Sequence, residues 1–246
     1  MIRTFFVALL VIVFLILSTP LMAFEWLYHK SNPAKSDLQS LRLIQAVFRL
    51  ILFLSGIKVV VEGKENIPQK AVLYVANHSG FFDIIASYPQ CPSPTGYVAK
   101  NSILKVPFLR VWMKRLHCLF LNRDDIREGL KTILEGIDLV NKGISICIFP
   151  EGTRNHSSTL LPFKEGSLKI AEKSSCPIIP VAISGSRACF EEHLPRIKPG
   201  TITIQYGTPI IVKELSKEEK KFLGAYTQEK IQSMLDSRKL QSPLKK

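Results

Sequence analysis

From about residue 58 onward, short apolar runs alternate with helix-patterned segments. That alternation predicts an α/β domain with a central mixed, largely parallel sheet flanked by helices. Two further observations refine the expectation. Several of the apolar runs are unbroken, as in strands buried on both faces. Residues 1–57 are greasy enough to form an N-terminal membrane-docking helical segment, which leaves 58–246 for the α/β domain.

Composition agrees with that division. The chain has 246 residues, 46% of them hydrophobic, and a formal net charge of +13. Its mean hydropathy is +0.16, too apolar for a disordered protein and greasy for a purely soluble one. Such a charge makes nucleic acid and anionic membrane surfaces the two candidate partners. A nucleic-acid binder interleaves aromatic with basic residues. Here the phenylalanines gather in the N-terminal segment and the apolar runs, so no nucleic-acid partner is expected. The cysteines (Cys91, Cys118, Cys147, Cys176 and Cys189) form no CxxC pair and show no zinc-ligand spacing, so no metal is expected either. Cys118 and Cys147 lie in apolar strand-like runs and read as buried thiols of a reducing compartment.

Residues 5–24 are apolar apart from Ser18, Thr19 and Pro20. As one helix they would reach about 30 Å, the thickness of a hydrocarbon core. A cleaved signal peptide is the competing reading, but Leu21 and Ala23 make a poor small-x-small cleavage site, so a retained anchor is expected. Lys30, Lys35, Arg42 and Arg49 after the segment outnumber Arg3 before it, which places the rest of the chain on the cytoplasmic side. In the second greasy stretch, 38–57, Arg42, Gln45 and Arg49 make a narrow polar stripe. That stripe suits either a helix in the membrane interface with its arginines toward headgroups, or one packed on the domain core.

Along the domain, strands are expected at 58–62, 71–76, 96–99, 118–121, 144–149, 178–184 and 201–205. Helices are expected at 102–116, 125–141 and 165–174, with a charged terminal helix and tail over 216–240. No internal repeat interrupts the pattern, and the Lys-rich end reads as a solvated face.

Chemistry gathers at strand ends, where open α/β sheets keep their sites. The 71–76 run breaks at Asn77-His78-Ser79-Gly80, turn and capping residue types, and Asp83 follows. A histidine titrates near neutral pH, and a carboxylate beside it fixes its tautomer and stabilises the imidazolium. Positions five apart on one helix point to different faces. His78 and Asp83 therefore meet only if the first is in the turn and the second in the first helical turn. The 144–149 run ends in Pro150-Glu151-Gly152-Thr153-Arg154: a forced turn, a hydroxyl and a guanidinium suited to phosphate. The 118–121 run ends in Asn122-Arg123 and the 96–99 run in Lys100. If these strands are parallel neighbours, Lys100, Arg123 and Arg154 converge beside His78 as a cationic pocket.

Asn77-His78-Ser79-Gly80-Phe81-Phe82-Asp83 and Phe149-Pro150-Glu151-Gly152-Thr153-Arg154 resemble two signature blocks of the glycerolipid acyltransferases, the 1-acyl-sn-glycerol-3-phosphate (lysophosphatidic acid) acyltransferase family. Leu119-Phe120-Leu121-Asn122-Arg123 and Ile179-Pro180-Val181 are similar to two weaker blocks, and Lys100 with Pro107 and Phe163-Lys164-Glu165-Gly166 also fall where the family has comparable residues. Two places depart from the pattern: Gly80 stands where the family usually has serine, and Cys118-Leu119 precede Arg123 where the family tends to have a glycine further upstream.

The resemblance implies an acyltransferase domain and a reaction in phospholipid biosynthesis. A fatty acyl group would pass from acyl-CoA or acyl-carrier protein to the free hydroxyl of lysophosphatidic acid, giving phosphatidic acid. Another lyso-lipid acceptor, a lysophospholipid or an amino-acid-derived one, is the alternative. His78 would be the general base and Asp83 its orienting partner. Arg154 and Arg123, with Lys100, would bind the acceptor phosphate, while Glu151, Gly152 and Thr153 would shape the turn that places the acceptor. Pro180 would belong to a block near the acyl donor. A thioester is already activated, so no cofactor is called for, and G-x-S-x-G, P-loop and G-x-G-x-x-G patterns are missing from the sequence. A membrane-bound acceptor would account for the N-terminal segment.

Overall fold

The run before Asn77 is a strand with every residue buried, and it stands at the middle of the sheet. In the computed structural model, which describes residues 1–241 apart from 123, 124 and 158, the strands are β1 (Ile57–Glu62), β2 (Leu73–Ala76), β3 (Thr95–Lys100), β4 (Leu119–Leu121), β5 (Ser145–Ile148), β6 (Ile178–Ser184) and β7 (Gly200–Tyr206). They lie in the order β1-β7-β6-β2-β5-β3-β4. β2 pairs in parallel with β5 and β6, and β3 with β5 and β4. β7 runs antiparallel to β6 and carries β1 parallel to itself. The sheet is therefore mixed and mostly parallel, as the sequence predicts. The C-terminal ends of β6, β2, β5, β3 and β4 share one edge.

Side chains alternate across β2 with a period of two. Tyr74 and Ala76 join the core on one face, with Ile179, Val181 and residues of the N-terminal helices. Leu73 and Val75 join the core on the other, with Ile146, Ile148 and Ile178. All five cysteines are free; burial pushes the Cys91 thiol up to about 11, so it stays protonated at neutral pH.

The helices are α1 (Ile2–Leu17), α2 (Thr19–Ser31), α3 (Pro33–Ser55), α4 (Phe82–Ser87), α5 (Pro107–Arg115), α6 (Ile126–Asn141), α7 (Lys169–Ser174), α8 (Ser186–Cys189), α9 (Lys217–Lys221) and α10 (Leu223–Gln241). Several differ from the expected spans for local reasons. The helix expected over 102–116 is a 3₁₀ turn, Asn101–Lys105, followed by α5. Pro107 forces Val106 into an extended conformation and then starts the helix, where its missing N–H costs nothing. The expected 165–174 helix opens as a 3₁₀ turn, Glu165–Leu168, before α7. The terminal helix divides at Phe222 into α9 and α10.

Residues 5–24 do not form one continuous helix. α1 and α2 are bent 47° from one another at the Ser18-Thr19 junction. There both hydroxyls bond back to the Leu15 carbonyl, at 3.4 and 3.3 Å, and Pro20 has no N–H to continue the ladder. Val7, Leu10, Val11, Phe14 and Leu15 pack inward on the domain core. Phe5, Phe6, Leu9, Ile12, Val13 and Ile16 stay exposed on the other face. Trp112 Nε1 donates to Ser18 Oγ at 2.8 Å, fixing the bend to α5.

α3 is long and apolar enough to cross a membrane by length and composition, yet Leu41, Ile44, Ile51 and Leu52 belong to the domain core. Two residues of its polar stripe bond the domain, while Arg42 donates to Gln45 and stays exposed. Gln45 Nε2 donates to the Tyr88 and Cys91 carbonyls at 3.3 and 2.8 Å, and Arg49 Nη2 to the Pro89 carbonyl at 3.1 Å. Those carbonyls lie at the 3₁₀ turn Tyr88–Gln90 that continues α4, where helical partners run out. A second polar lock joins α3 to α5: Arg115 Nη1 donates to Asp37 Oδ1 at 2.7 Å, and His117 Nε2 lies 3.0 Å from Asp37 Oδ2. Burial pushes the Asp37 carboxyl up, but His117 and Arg115 outweigh that and hold it below the ordinary carboxylate range.

Gln45 is fully buried, so replacing it by leucine keeps its volume and strips two buried carbonyls of their donor. Gln45→Leu is expected to lower stability by about 1–3 kcal/mol, read from the urea-unfolding midpoint. A midpoint that does not move would mean that the stripe is not what docks α3.

Candidate active site

Asn77 closes β2 by bonding both ways with β6: its Nδ2 donates to the Ile183 carbonyl at 2.9 Å and its Oδ1 accepts from Ile183 N at 2.8 Å. The chain then turns, and His78 and Asp83 meet as their spacing requires, His78 in the turn and Asp83 in the first turn of α4. His78 Nδ1 lies 2.8 Å from Asp83 Oδ2. That oxygen also accepts from the backbone N–H of Ser79 at 2.6 Å and of Gly80 at 2.8 Å. The other carboxylate oxygen accepts from Ser186 Oγ, at the start of α8, and Ser186 Oγ lies 2.9 Å from Ser79 Oγ. Asp83 is wholly buried and His78 is partly open, its side chain 17% exposed. Because the carboxylate accepts, the proton of neutral His78 belongs on Nδ1, which leaves Nε2 as the basic nitrogen. The ring plane is fixed by Phe149, stacked on it with centroids 4.3 Å apart and planes 25° from parallel.

The second turn follows β5. Gly152 N donates to the Phe149 carbonyl at 3.0 Å, with Pro150 pre-setting the turn and Gly152 at φ +75°, the left-handed region that glycine enters freely. Glu151 points inward. Its Oε1 accepts from His78 N at 2.9 Å, and its Oε2 accepts from Asn155 Nδ2 at 2.8 Å and Leu161 N at 3.0 Å. Asn155 N donates in turn to the His78 carbonyl at 2.7 Å. Glu151, expected to help place the acceptor, thus has both oxygens committed within the protein and clamps the two turns together.

Thr153 and Arg154 are exposed beyond it. The Arg154 guanidinium lies 4.0 Å over the Phe81 ring, with Nη1 3.7 Å from Glu191 Oε1. Lys164 crosses Gly152 so closely that a Cβ there would stand 3.2 Å from Lys164 Cε and 3.3 Å from Nζ. Lys100 ends β3 on the same sheet edge, exposed, two strands from β2 and so roughly 10 Å across the sheet. Arg123 lies outside the described residues. Pro180 is buried within β6, opposite Val75, rather than at a strand end. Among the described residues no group of His, Cys, Asp and Glu is arranged to hold a metal ion.

A buried His–Asp pair beside exposed cations can take a proton from a bound hydroxyl and hold an anionic group near it. The Acyltransferase family model matches residues 58–184, just over half of the chain and all of the site except Ser186 and Glu191. The chain belongs to the acyltransferase family. It is 32% identical to the 1-acyl-sn-glycerol-3-phosphate acyltransferase of Borreliella burgdorferi over 80% of both chains. To that of Saccharomyces cerevisiae it is 30% identical over 80% of this chain and 64% of the other. The crystal structure of the 1-acyl-sn-glycerophosphate (LPA) acyltransferase PlsC from Thermotoga maritima superposes with a TM-score of 0.83 and 26% identity, covering 100% of this chain and 97% of that one.

In this acyltransferase the two motifs read from the sequence form one site, and four contributors went unread. Ser186 follows the end of β6, a strand that runs with β2, so the strand-end criterion that singled out Lys100 and Arg154 reaches it as well. Asn155 directly follows Arg154. Lys164 lies in a block noted for its resemblance but given no role. Glu191 has no local signal.

Asp83→Asn keeps the shape of the pair but replaces one acceptor by a donor facing N–H groups. It is expected to lower kcat by about 10²–10⁴-fold with the acceptor KM little changed. Steady-state kinetics alongside a melting curve checks this; a kcat within severalfold of the parent would remove Asp83 from the mechanism.

Proposed function

We propose that this acyltransferase moves a fatty acyl group from a thioester, acyl-CoA or acyl-carrier protein, to the free hydroxyl of lysophosphatidic acid, giving phosphatidic acid. The observation that carries the reading is the His78–Asp83 pair, 2.8 Å apart, on the sheet edge that also presents the Arg154 guanidinium. It is supported by what the relatives from Borreliella burgdorferi and Saccharomyces cerevisiae are named for.

His78 Nε2 takes the proton of the acceptor hydroxyl as its oxygen attacks the thioester carbonyl. The new C–O bond forms, the C–S bond breaks, and the proton passes from the imidazolium to the departing thiolate. Asp83 keeps the ring in the productive tautomer and stabilises the imidazolium in between. General-base assistance of this kind is worth roughly 10²–10⁴ in rate. The thioester supplies the activation, so the reaction calls for no cofactor. Arg154 holds the acceptor phosphate, with Lys164 at the same turn, Lys100 from the end of β3 and Arg123 as a further cation.

The acceptor is a membrane lipid, and the exposed Phe5, Phe6, Leu9, Ile12, Val13 and Ile16 face of α1 suits burial in a lipid surface. The excess of basic residues after the first apolar segment supports a cytoplasmic side for the catalytic domain.

The test offers purified enzyme several lyso-lipids, with acyl-CoA and with acyl-carrier protein as donors. Lysophosphatidic acid is expected to be acylated in preference to acceptors with a masked phosphate; preference for another lyso-lipid would overturn the acceptor assignment. His78→Ala is expected to lower the rate by about 10²–10⁴-fold while membrane sedimentation is retained. Arg154→Ala is expected to raise the KM for lysophosphatidic acid by about 10-fold or more, the loss of a charge-assisted contact. An unchanged KM would point to an acceptor without a phosphate.

A further inference from the structure

We propose that Glu191 is a positioning residue of the acceptor site, acting through Arg154, and that residue 80 is a glycine in order to admit it. The proposal rests on the reading of Arg154 as the phosphate clamp.

Glu191 comes from the 3₁₀ turn Glu191–His193 after α8, and its side chain is 4% exposed. The preceding residue brings it to the catalytic loop: the Phe190 ring meets Phe81 and Phe82 edge-on, with centroids 6.1 and 6.3 Å apart. From there Glu191 Oε1 accepts from the backbone N–H of Phe81 at 2.6 Å and lies 3.7 Å from Arg154 Nη1. One oxygen thus touches both the loop that carries His78 and Asp83 and the guanidinium beside it. Glu191 Oε2 is buried with no hydrogen-bond partner among the described residues. It rests against Gly80: a Cβ there would stand 2.5 Å from Oε2 and 2.9 Å from Cδ, closer than side-chain carbons come to such atoms. A serine at this position, the residue the family resemblance leads one to expect, would displace the carboxylate.

A buried carboxylate with an unpartnered oxygen is costly, and glutamine would serve the Phe81 N–H as well. What glutamine cannot supply is charge, and among the described residues the only cation paired with Glu191 is Arg154. The guanidinium is held by its face on Phe81 and by one edge toward Glu191. An arginine so held gives up its rotamer freedom before substrate arrives, and its remaining N–H groups stay directed at the phosphate.

The test uses full-length enzyme, saturating acyl donor and varied lysophosphatidic acid. Glu191→Gln is expected to raise the acceptor KM about tenfold with kcat within about twofold, and to add less than about twofold to KM once Arg154 is alanine. An unchanged KM in Glu191→Gln, or an equal rise in the Arg154→Ala background, overturns the proposal, since a merely structural carboxylate acts regardless of Arg154. A lowered KM overturns it as well, because Glu191 would then compete with the phosphate. If Arg154→Ala itself leaves KM unchanged, the reading of Arg154 falls too, so the two failures are told apart. A second pair of variants avoids reliance on one substitution. Gly80→Ala is expected to impair the parent enzyme more than it impairs Glu191→Ala, where the space is vacant; equal impairment in both would overturn the assignment of Gly80.

Discussion

A carboxylate cut off from water has to find its donors inside the protein, and Asp83 draws on four: the His78 ring, the Ser79 and Gly80 amides and the Ser186 hydroxyl. Desolvating such an ion costs several kcal/mol, so these donors are what lets the charge stay buried rather than a source of large net stability. Their effect is rigidity. The donors come from the turn between β2 and α4 and from the start of α8, and all must be in place at once for the charge to be tolerated. The imidazole is therefore oriented before any substrate arrives, which is the form of organisation that lowers barriers most.

The same constraint ties the N-terminal helices to the chemistry. Ser87 Oγ donates to the Asp83 carbonyl at 2.6 Å and lies 2.9 Å from the Tyr97 hydroxyl, so the far end of the short α4 is fastened too. The 3₁₀ turn that continues α4 is where Gln45 and Arg49 of α3 bond. α3 in turn packs with α1, whose outer face is apolar and exposed. The exposed apolar face of α1 and the buried Asp83 carboxylate are thus joined through one chain of packed helices. That gives a physical reason for an apolar N-terminal segment to share a core with the sheet.

How much of this can be read from the sequence depends on the range of the interactions. Strand positions follow from apolar runs, and the sheet edge that collects the site follows from their parallel order; β6 falls where expected to the residue. The His78–Asp83 meeting is local, a turn followed by a helix start, and the spacing alone requires that geometry. Ser186 bonds to a residue 103 positions away and Glu191 to one 110 positions away, and no spacing announces contacts of that length. Glu151 was legible as part of a motif but not as a buried clamp, because a turn glutamate looks the same whether it faces solvent or backbone donors. Pro20 and Pro107 are different: both are visible in the sequence, and both break helices that hydrophobic periodicity alone draws as continuous.

The two turns also hold up each other's working side chains. Phe149, which opens the second turn, lies under the imidazole of His78 from the first, while Phe81 of the first lies under the guanidinium of Arg154 from the second. Glu151 and Asn155 of the second bond to the backbone N–H and carbonyl of His78. Neither turn can shift without moving the other's His78 or Arg154 side chain, so imidazole and guanidinium keep a fixed separation. In the proposed reaction, where the acceptor presents its hydroxyl to one and its phosphate to the other, that separation would act as a ruler, and it follows from aromatic stacking and buried hydrogen bonds rather than from any contact with a substrate.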